Sequence, residues 1–453
     1  MENGPANWLR QIVDKIYSPR VRQNVLQALP FWIASILTGL MAVAYTRLFS
    51  LAESASQNIF NSHRLMLFLL TPVCFVLAWL VVRKFDRNAA GSGIPQVMAA
   101  IELANPKYNH LVDRLLSVKV IMVKIISTLL MIFGGGIIGR EGPTVQIAGS
   151  IFRTVNQWLP ASWPKISKKN MIMTGAAAGL AAAFNTPLGG IVFAVEELAK
   201  THISFFKTAL FTAVIIAGLT AQGFLGPYLY LGYPEITDVS GYVVFVVLIV
   251  ACTAGFLGSI MSVIILKVLR WKNSLQKTGF QLLYVVGCAL LIAAIAYFFS
   301  FGILGSGKAQ MSRLLFTADK HVGFSLPLFR ILGSIASFTS GAAGGIFAPS
   351  LSAGATIGAL IAELFSFSGS NANILVLSGM VAFLTGVTRS PFTSSILVLE
   401  MTDRHSVVFY LMLAGMIASL FANLVDKHSL YDHLKDRYLS DAYKQSDEPA
   451  AAT

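Results

Sequence analysis

Residues 134–150, GGGIIGREGPTVQIAGS, set Arg140 and Glu141 inside a stretch that otherwise reads as membrane-embedded. Gly139 and Gly142 flank the pair and Pro143 suits the first turn of a helix, so the sequence predicts Glu141 at the positive end of a helix dipole. A carboxylate held there takes the place of an anion and leaves it when protonated. The alternative is an Arg140–Glu141 ion pair at a membrane surface; against it, charges inside a bilayer are costly and mark functional positions. Two further strings have the backbone an anion needs. In GSGIPQ (91–96), Gly91 and Gly93 let the main chain approach an ion, Ser92 offers a hydroxyl, and Pro95 fits a first helical turn. GGIFAP (344–349) follows the same logic, with Phe347 read from its residue type as a packing residue. Each string alone also fits an ordinary turn; all three together describe an anion held by helix N-termini.

The elements that position these residues must be membrane helices. The chain has 453 residues, 55% of them hydrophobic and 12% charged, with a mean hydropathy of +0.69, which excludes a soluble multi-domain enzyme. Apolar windows recur near 28–50, 64–82, 119–139, 171–195, 207–231, 242–268, 279–303, 327–365, 373–400 and 407–425, several cut by Gly or Pro. The net charge of +13 does not imply nucleic acid, because the basic residues lie in short segments between these windows. Clusters at Arg10–Arg22, Arg83–Arg87, Lys165–Lys169, Lys267–Lys277 and Lys427–Arg437 read as cytoplasmic by the positive-inside rule, which puts both termini inside. Residues 1–27 read as a retained amphipathic surface helix and 438–453 as a short polar cytoplasmic tail.

An internal repeat organises the windows. GAAAGLAAAFNTPLGGIVFAVEE from Gly175 lies on GMVAFLTGVTRSPFTSSILVLEM from Gly379, pairing Pro187 with Pro391 and Glu196 with Glu400 at an offset of 204 (391 − 187). GREGPTVQIAGSI from Gly139 lies on GIFAPSLSAGATI from Gly345 at an offset of 206 (349 − 143). Paired, Gly/Pro-interrupted segments in two halves point to a transporter's substrate site. Other chemistries find little support. No HExxH motif or Cys/His cluster is present, and Cys74, Cys252 and Cys288 lie in apolar runs as small hydrophobes. GILGSGKAQ (302–310) nearly spells a phosphate-binding loop, but Ala309 stands where the magnesium-binding hydroxyl is needed. Lys124 and Arg330, inside apolar windows, are expected to stabilise buried electrostatics.

GSGIP, GREGP, GGIFAP and a late SLYD (429–432), in this order and with GAAAGLAAAFNTPL between them, resemble the CLC chloride channel and transporter family over nearly the whole chain. The resemblance implies an all-α polytopic homodimer with one anion pathway per subunit, each subunit built from two inverted halves with broken helices, 28–231 and 232–437. It implies that Ser92, Gly93, the backbone at Ile346 and Phe347, and Tyr431 hold a partly dehydrated chloride, with Glu141 as the gating glutamate. The family contains channels and exchangers. In FAVEELAK (193–200), Glu197 matches the inner proton-transfer glutamate of the exchangers, while Glu196, with its counterpart Glu400, is expected to be structural. Such a relay needs carboxyls whose proton affinity is raised by desolvation. The resulting expectation is a chloride/proton antiporter of a bacterial inner membrane, with a passive voltage- or pH-gated chloride channel as the alternative. It is expected to be no enzyme and to bind no cofactor, metal or nucleic acid. Gln96 and Ala343 depart from the family strings at positions without a direct ligand role, and Ser92, rather than proline, implies chloride over nitrate. GSGIP and GREGP also differ from the fluoride-exporting branch. The 22 residues after Tyr431 (453 − 431) imply no paired nucleotide-binding modules.

Overall fold

A chain that is apolar over most of its length and sits in lipid must satisfy its backbone hydrogen bonds within each segment, and the helix does so. The computed structural model describes residues 19–160, 163–199, 207–226, 229–237, 239–299 and 301–447, and among them the ordered elements are helices. The first half contains α1 (Pro19–Ser62), α2 (Leu67–Phe85), α3 (Ile94–Leu103), α4 (Val112–Leu115), α5 (Val118–Phe133), α6 (Glu141–Trp158), α7 (Lys168–Phe184), α8 (Pro187–Phe193) and α9 (Lys207–Leu225). The second contains α10 (Val243–Ser274), α11 (Thr278–Phe298), α12 (Lys308–Phe316), α13 (Ser325–Thr339), α14 (Phe347–Leu364), α15 (Gly369–Thr388), α16 (Pro391–Thr402), α17 (Val408–Val425) and α18 (Leu430–Asp447). Among the described residues nine helices are long and apolar enough to cross a membrane. The expected surface helix over 1–27 lies outside the described residues up to residue 18. From Pro19 the chain already belongs to α1, which continues past Pro30, so residue 27 is no boundary. Likewise α18 runs through residue 438, and residues 448–453 of the expected tail are outside the described chain.

The halves are related by a two-fold with inverted direction. Gly139 and Gly345, equivalent in the repeat, exchange both main-chain hydrogen bonds at 2.8 Å each, as residues meeting across such an axis do. Arg83, near the C-terminal end of α2, donates to Thr278 and Gln281 at the N-terminal end of α11, so these two packed helices run antiparallel with their basic ends on one side. Helices α7 and α15 both stop on a left-handed residue, Asn185 (φ 57°) and Arg389 (φ 62°). Each is followed by a proline-started helix. Glu196 then accepts from the Phe392 and Thr393 N–H groups at 3.1 and 2.6 Å, and Glu400 accepts from Leu188 and Gly189 at 3.0 and 2.8 Å. Each half thus supplies the anionic cap for the other half's helix. Such capping satisfies donors that have no intrahelical partner and contributes about 1 kcal/mol per helix.

The interior is packed through small residues. Helices α14 and α15 approach until a methyl on Gly354 would lie 2.1 Å from the Gly379 carbonyl oxygen, and one on Gly358 2.2 Å from that of Leu375. This is the Gly-x-x-x-Gly mode of membrane helices, where close backbone approach gives the dispersion contact that apolar lipid does not provide. Both helices are accordingly buried inside the subunit rather than facing lipid.

Candidate functional site

Four helix N-termini meet at the centre of the molecule. Helix α6 begins at Glu141 after Arg140, α14 at Phe347 after Ile346, and α3 at Ile94 after Gly93, whose φ of 103° turns the chain into the helix. The fourth is α18, where SLYD forms a capping box. The Asp432 N–H donates to Ser429 Oγ at 3.0 Å, and the Ser429 N–H returns to Asp432 Oδ2 at 3.3 Å, which fixes Tyr431 in the first turn. The loops before these helices are tied to one another by the Gly139–Gly345 pair and by Gly91, whose N–H donates to the Ala342 carbonyl at 2.9 Å and whose carbonyl accepts from Gly344 at 3.1 Å. Glycine is required by this crowding. A methyl on Gly142 would fall 2.1 Å from Ser92 Oγ, and one on Gly345 3.0 Å from the Gly139 carbonyl oxygen.

The positive helix ends surround two hydroxyls. Ser92 Oγ and Tyr431 Oη are both buried, lie near one another, and meet no other hydrogen-bond partner among the described residues. Tyr431 is held by stacking on Phe347, with ring centroids 6.1 Å apart and planes at 11°. Phe347 packs on Phe184, which meets Tyr230 edge-on at 5.0 Å. Tyr230 Oη donates to Glu141 Oε1 at 3.3 Å. Glu141 is 1% exposed, and its other oxygen folds back on Gly139, where a methyl would lie 2.2 Å away. Arg140 turns elsewhere, with Nη1 on the Thr46 carbonyl at 3.4 Å, so the surface ion pair considered from sequence is not formed. Two converging hydroxyls and helix N-termini, with apolar rings on the remaining sides, suit a small anion stripped of part of its water.

This cluster separates two cavities. One, of about 900 Å³, reaches Ser92 and is lined by Arg83, Arg87, Arg114, Lys272 and Arg437 against one carboxylate, Asp441. Apart from Arg114, its basic wall is assembled from clusters that the positive-inside rule assigns to the cytoplasm. The other, of about 200 Å³, shares no lining residue with the first, reaches Glu141 and is lined by Arg140, Glu53, Tyr230, Ser306 and Lys308. Behind the Ser92 loop the buried Lys124 Nζ donates to the Ala89 and Gly91 carbonyls, both at 2.9 Å. Its charge is thus turned to main chain, in line with the expected electrostatic role.

Glu197 stands apart from Glu141 but within electrostatic reach of the same Tyr431. It lies in a π-helical turn, Ala194–Ala199, that continues α8, is 5% exposed, and accepts a short hydrogen bond from the Ser390 hydroxyl. Wide π turns recur at functional sites because they re-aim side chains. Here neighbouring glutamates diverge, Glu196 to the α16 cap and Glu197 to the interior. Sequence reasoning names Glu141, Glu197, Ser92, Gly93, Ile346, Phe347 and Tyr431; the structure gathers all but Glu197 around one point. It misses Tyr230, Phe184 and Ser390. Of these, only Ser390, beside the repeated proline, carried a usable signal.

The family described as voltage gated chloride channel matches residues 74–423. The H(+)/Cl(-) exchange transporter ClcA of Salmonella paratyphi A is 30% identical over 464 aligned positions, covering 97% of this chain and 94% of the relative. Among solved structures, a slow cyanobacterial Cl-/H+ antiporter superposes with a TM-score of 0.79 at 23% identity, covering 92% of this chain and 98% of that one. A CLC-type fluoride/proton antiporter superposes with a TM-score of 0.76 at 19% identity, covering 92% and 99%. At these identities the structures speak for the fold. With its broken helices, inverted halves and four glycine- and serine-led N-termini, the chain belongs to the voltage-gated chloride channel, or CLC, family.

Proposed function

We propose that this multi-pass membrane protein is a secondary active antiporter that exchanges chloride for protons. The observation that carries the reading is a pair of buried carboxylates, Glu141 on Tyr230 and Glu197 on Ser390, near helix N-termini and hydroxyls that suit a small anion. Chloride that passes from the outer cavity toward the basic inner one exchanges hydration for the Ser92 and Tyr431 hydroxyls and the N–H ends at Ile346 and Phe347, while protons move the opposite way. The same positive ends attract the Glu141 carboxylate, so chloride and carboxylate compete for one position. Chloride displaces the carboxylate, which takes up a proton while displaced and releases it to the outer cavity on return. Glu197 supplies the proton from the inner side by a route that parts from the chloride path. The exchanger name of the Salmonella relative supports this reading over a channel. The protein acts as a homodimer in a bacterial inner membrane, each subunit with its own pathway, and needs no metal or cofactor. Exposed Leu188, Ile215, Leu219, Phe392, Phe409 and Leu420, on the mutually packed α8, α9, α16 and α17, supply an apolar face for the partner.

The test is proteoliposomes with an imposed chloride gradient, recording external pH and chloride together. Wild type should move protons against their gradient as chloride runs down, and Glu197→Gln should lose proton movement while chloride flux persists. Proton pumping that survives in the variant overturns the role of Glu197. Chloride flux without pumping in wild type would make the protein a channel.

A further inference from the structure

The string GILGSGKAQ, which fails as a phosphate loop, is the second-half counterpart of GSGIPQ. Gly305-Ser306-Gly307 repeats Gly91-Ser92-Gly93 at an offset of 214 (305 − 91). The paired glycines share left-handed backbone, with φ 72° against 62° and 86° against 103°, and Gly307 caps α12 as Gly93 caps α3. The support behind the loop is repeated too. Lys124 holds the Ala89 and Gly91 carbonyls, and the buried Arg330 Nη1 donates to those of Ile303 and Gly305 at 2.7 and 3.4 Å. Ile303 and Gly305 are residues 89 and 91 shifted by the same 214. In each case a buried cation holds carbonyls of the turn, and the serine of the turn lines a cavity. The first loop opens to the inner cavity, the second to the outer one.

The outer loop already carries an anionic group. Glu53 of α1 places Oε1 on both the Ser306 N–H, at 2.8 Å, and the Ser306 hydroxyl, at 2.9 Å. Lys308 and Arg140 line the same cavity, and Arg140, 6% exposed, has an Nε with no hydrogen-bond partner among the described residues. We propose that Ser306 and Lys308, with Arg140, form a second halide site at the outer mouth, distinct from the Ser92–Tyr431 site, and that the Glu53 carboxylate is its resident competitor. Chloride arriving from outside takes the Ser306 donors when Glu53 swings into the cavity, and it waits there for Glu141 to vacate the central position. The outer mouth thereby repeats the carboxylate-for-chloride competition of the centre. The inference rests on the reading of the central site as an anion site.

Crystals of the full chain grown in bromide separate the two claims by anomalous scattering. In Glu53→Ala, bromide should appear both beside Ser92 and Tyr431 and within hydrogen-bonding distance of the Ser306 N–H. Glu53→Gln, which keeps the volume and removes the charge, should show the same outer peak at lower occupancy. In one-sided flux measurements Glu53→Ala should lower the external chloride concentration for half-maximal transport by about ten-fold, as expected for loss of a charged competitor, with the internal value unchanged. Adding Lys308→Ala should reverse that gain. A central peak without an outer one in both Glu53 variants overturns the outer site and leaves the antiporter reading standing. Absence of both peaks overturns the central anion site and this inference with it.

Discussion

Gly142→Ala tests the geometry of the central site at one atom. The added methyl would sit 2.1 Å from Ser92 Oγ and 3.0 Å from the Ser92 carbonyl oxygen, where ordinary contact begins at 3.4 Å. The hydroxyl is the movable member, so it must retreat by about 1.3 Å, the difference between those two values, and rotate away from the anion. A hydrogen bond to a charged group contributes about 1.5–3 kcal/mol net. Losing it should therefore raise the chloride dissociation constant roughly ten- to a hundred-fold. Titration calorimetry of chloride into detergent-purified protein reads this directly, with size-exclusion chromatography to confirm folding. Gly149→Ala, on the same helix, is the control: its methyl would meet Val97 at 3.4 Å and Leu116 at 3.7 Å, so binding should not change. In a Ser92→Ala background the Gly142 change should have little further effect, because the group it displaces is already gone. If Gly142→Ala binds chloride within about two-fold of wild type, the margin of independent substitutions, Ser92 is not a ligand.

Glu141→Gln should leave anion flux intact while abolishing proton coupling and pH dependence, since glutamine mimics the protonated side chain; retained proton pumping in the dual-flux assay would exclude the gating role. Ser92→Pro should shift preference from chloride toward nitrate, because it removes a donor that matters most to the more strongly hydrated ion; an unchanged chloride/nitrate flux ratio in folded protein would contradict this. Glu196→Ala uncaps α16 and should destabilise the fold by about 1–2 kcal/mol, seen as a lower thermal unfolding temperature, while chloride-driven proton movement persists. Loss of coupling with unchanged thermal stability would place Glu196 in the proton route instead.

Much of the site was legible because its parts are local. A Gly-x-Gly turn, a proline in the first helical turn and a serine followed three residues later by an aspartate each announce a helix start within six residues, and all four site helices begin at such strings. The repeat was readable where its offset stayed at 204–206 and sequence similarity survived. It was lost for GSGKAQ, where the offset grows to 214 and the local string imitates a nucleotide loop; only the shared left-handed glycines and the cation behind each turn show the kinship.

By itself, then, the sequence determined that this is a helical membrane protein whose broken helices aim several N-termini at an anion, because hydropathy and turn chemistry act over a few residues. It could not decide which donors meet the carboxylates. Tyr230 reaches Glu141 across 89 positions, Ser390 reaches Glu197 across 193, and the Glu196 and Glu400 caps cross between halves over 196 to 212. Nor could it show that neighbouring Glu196 and Glu197 face different surroundings, since the π turn that carries them turns Glu196 to the N–H groups that open α16 and Glu197 to Ser390. Those contacts exist only once the inverted halves close on each other, and the two-fold that brings Gly139 against Gly345 is a property of the assembled helices.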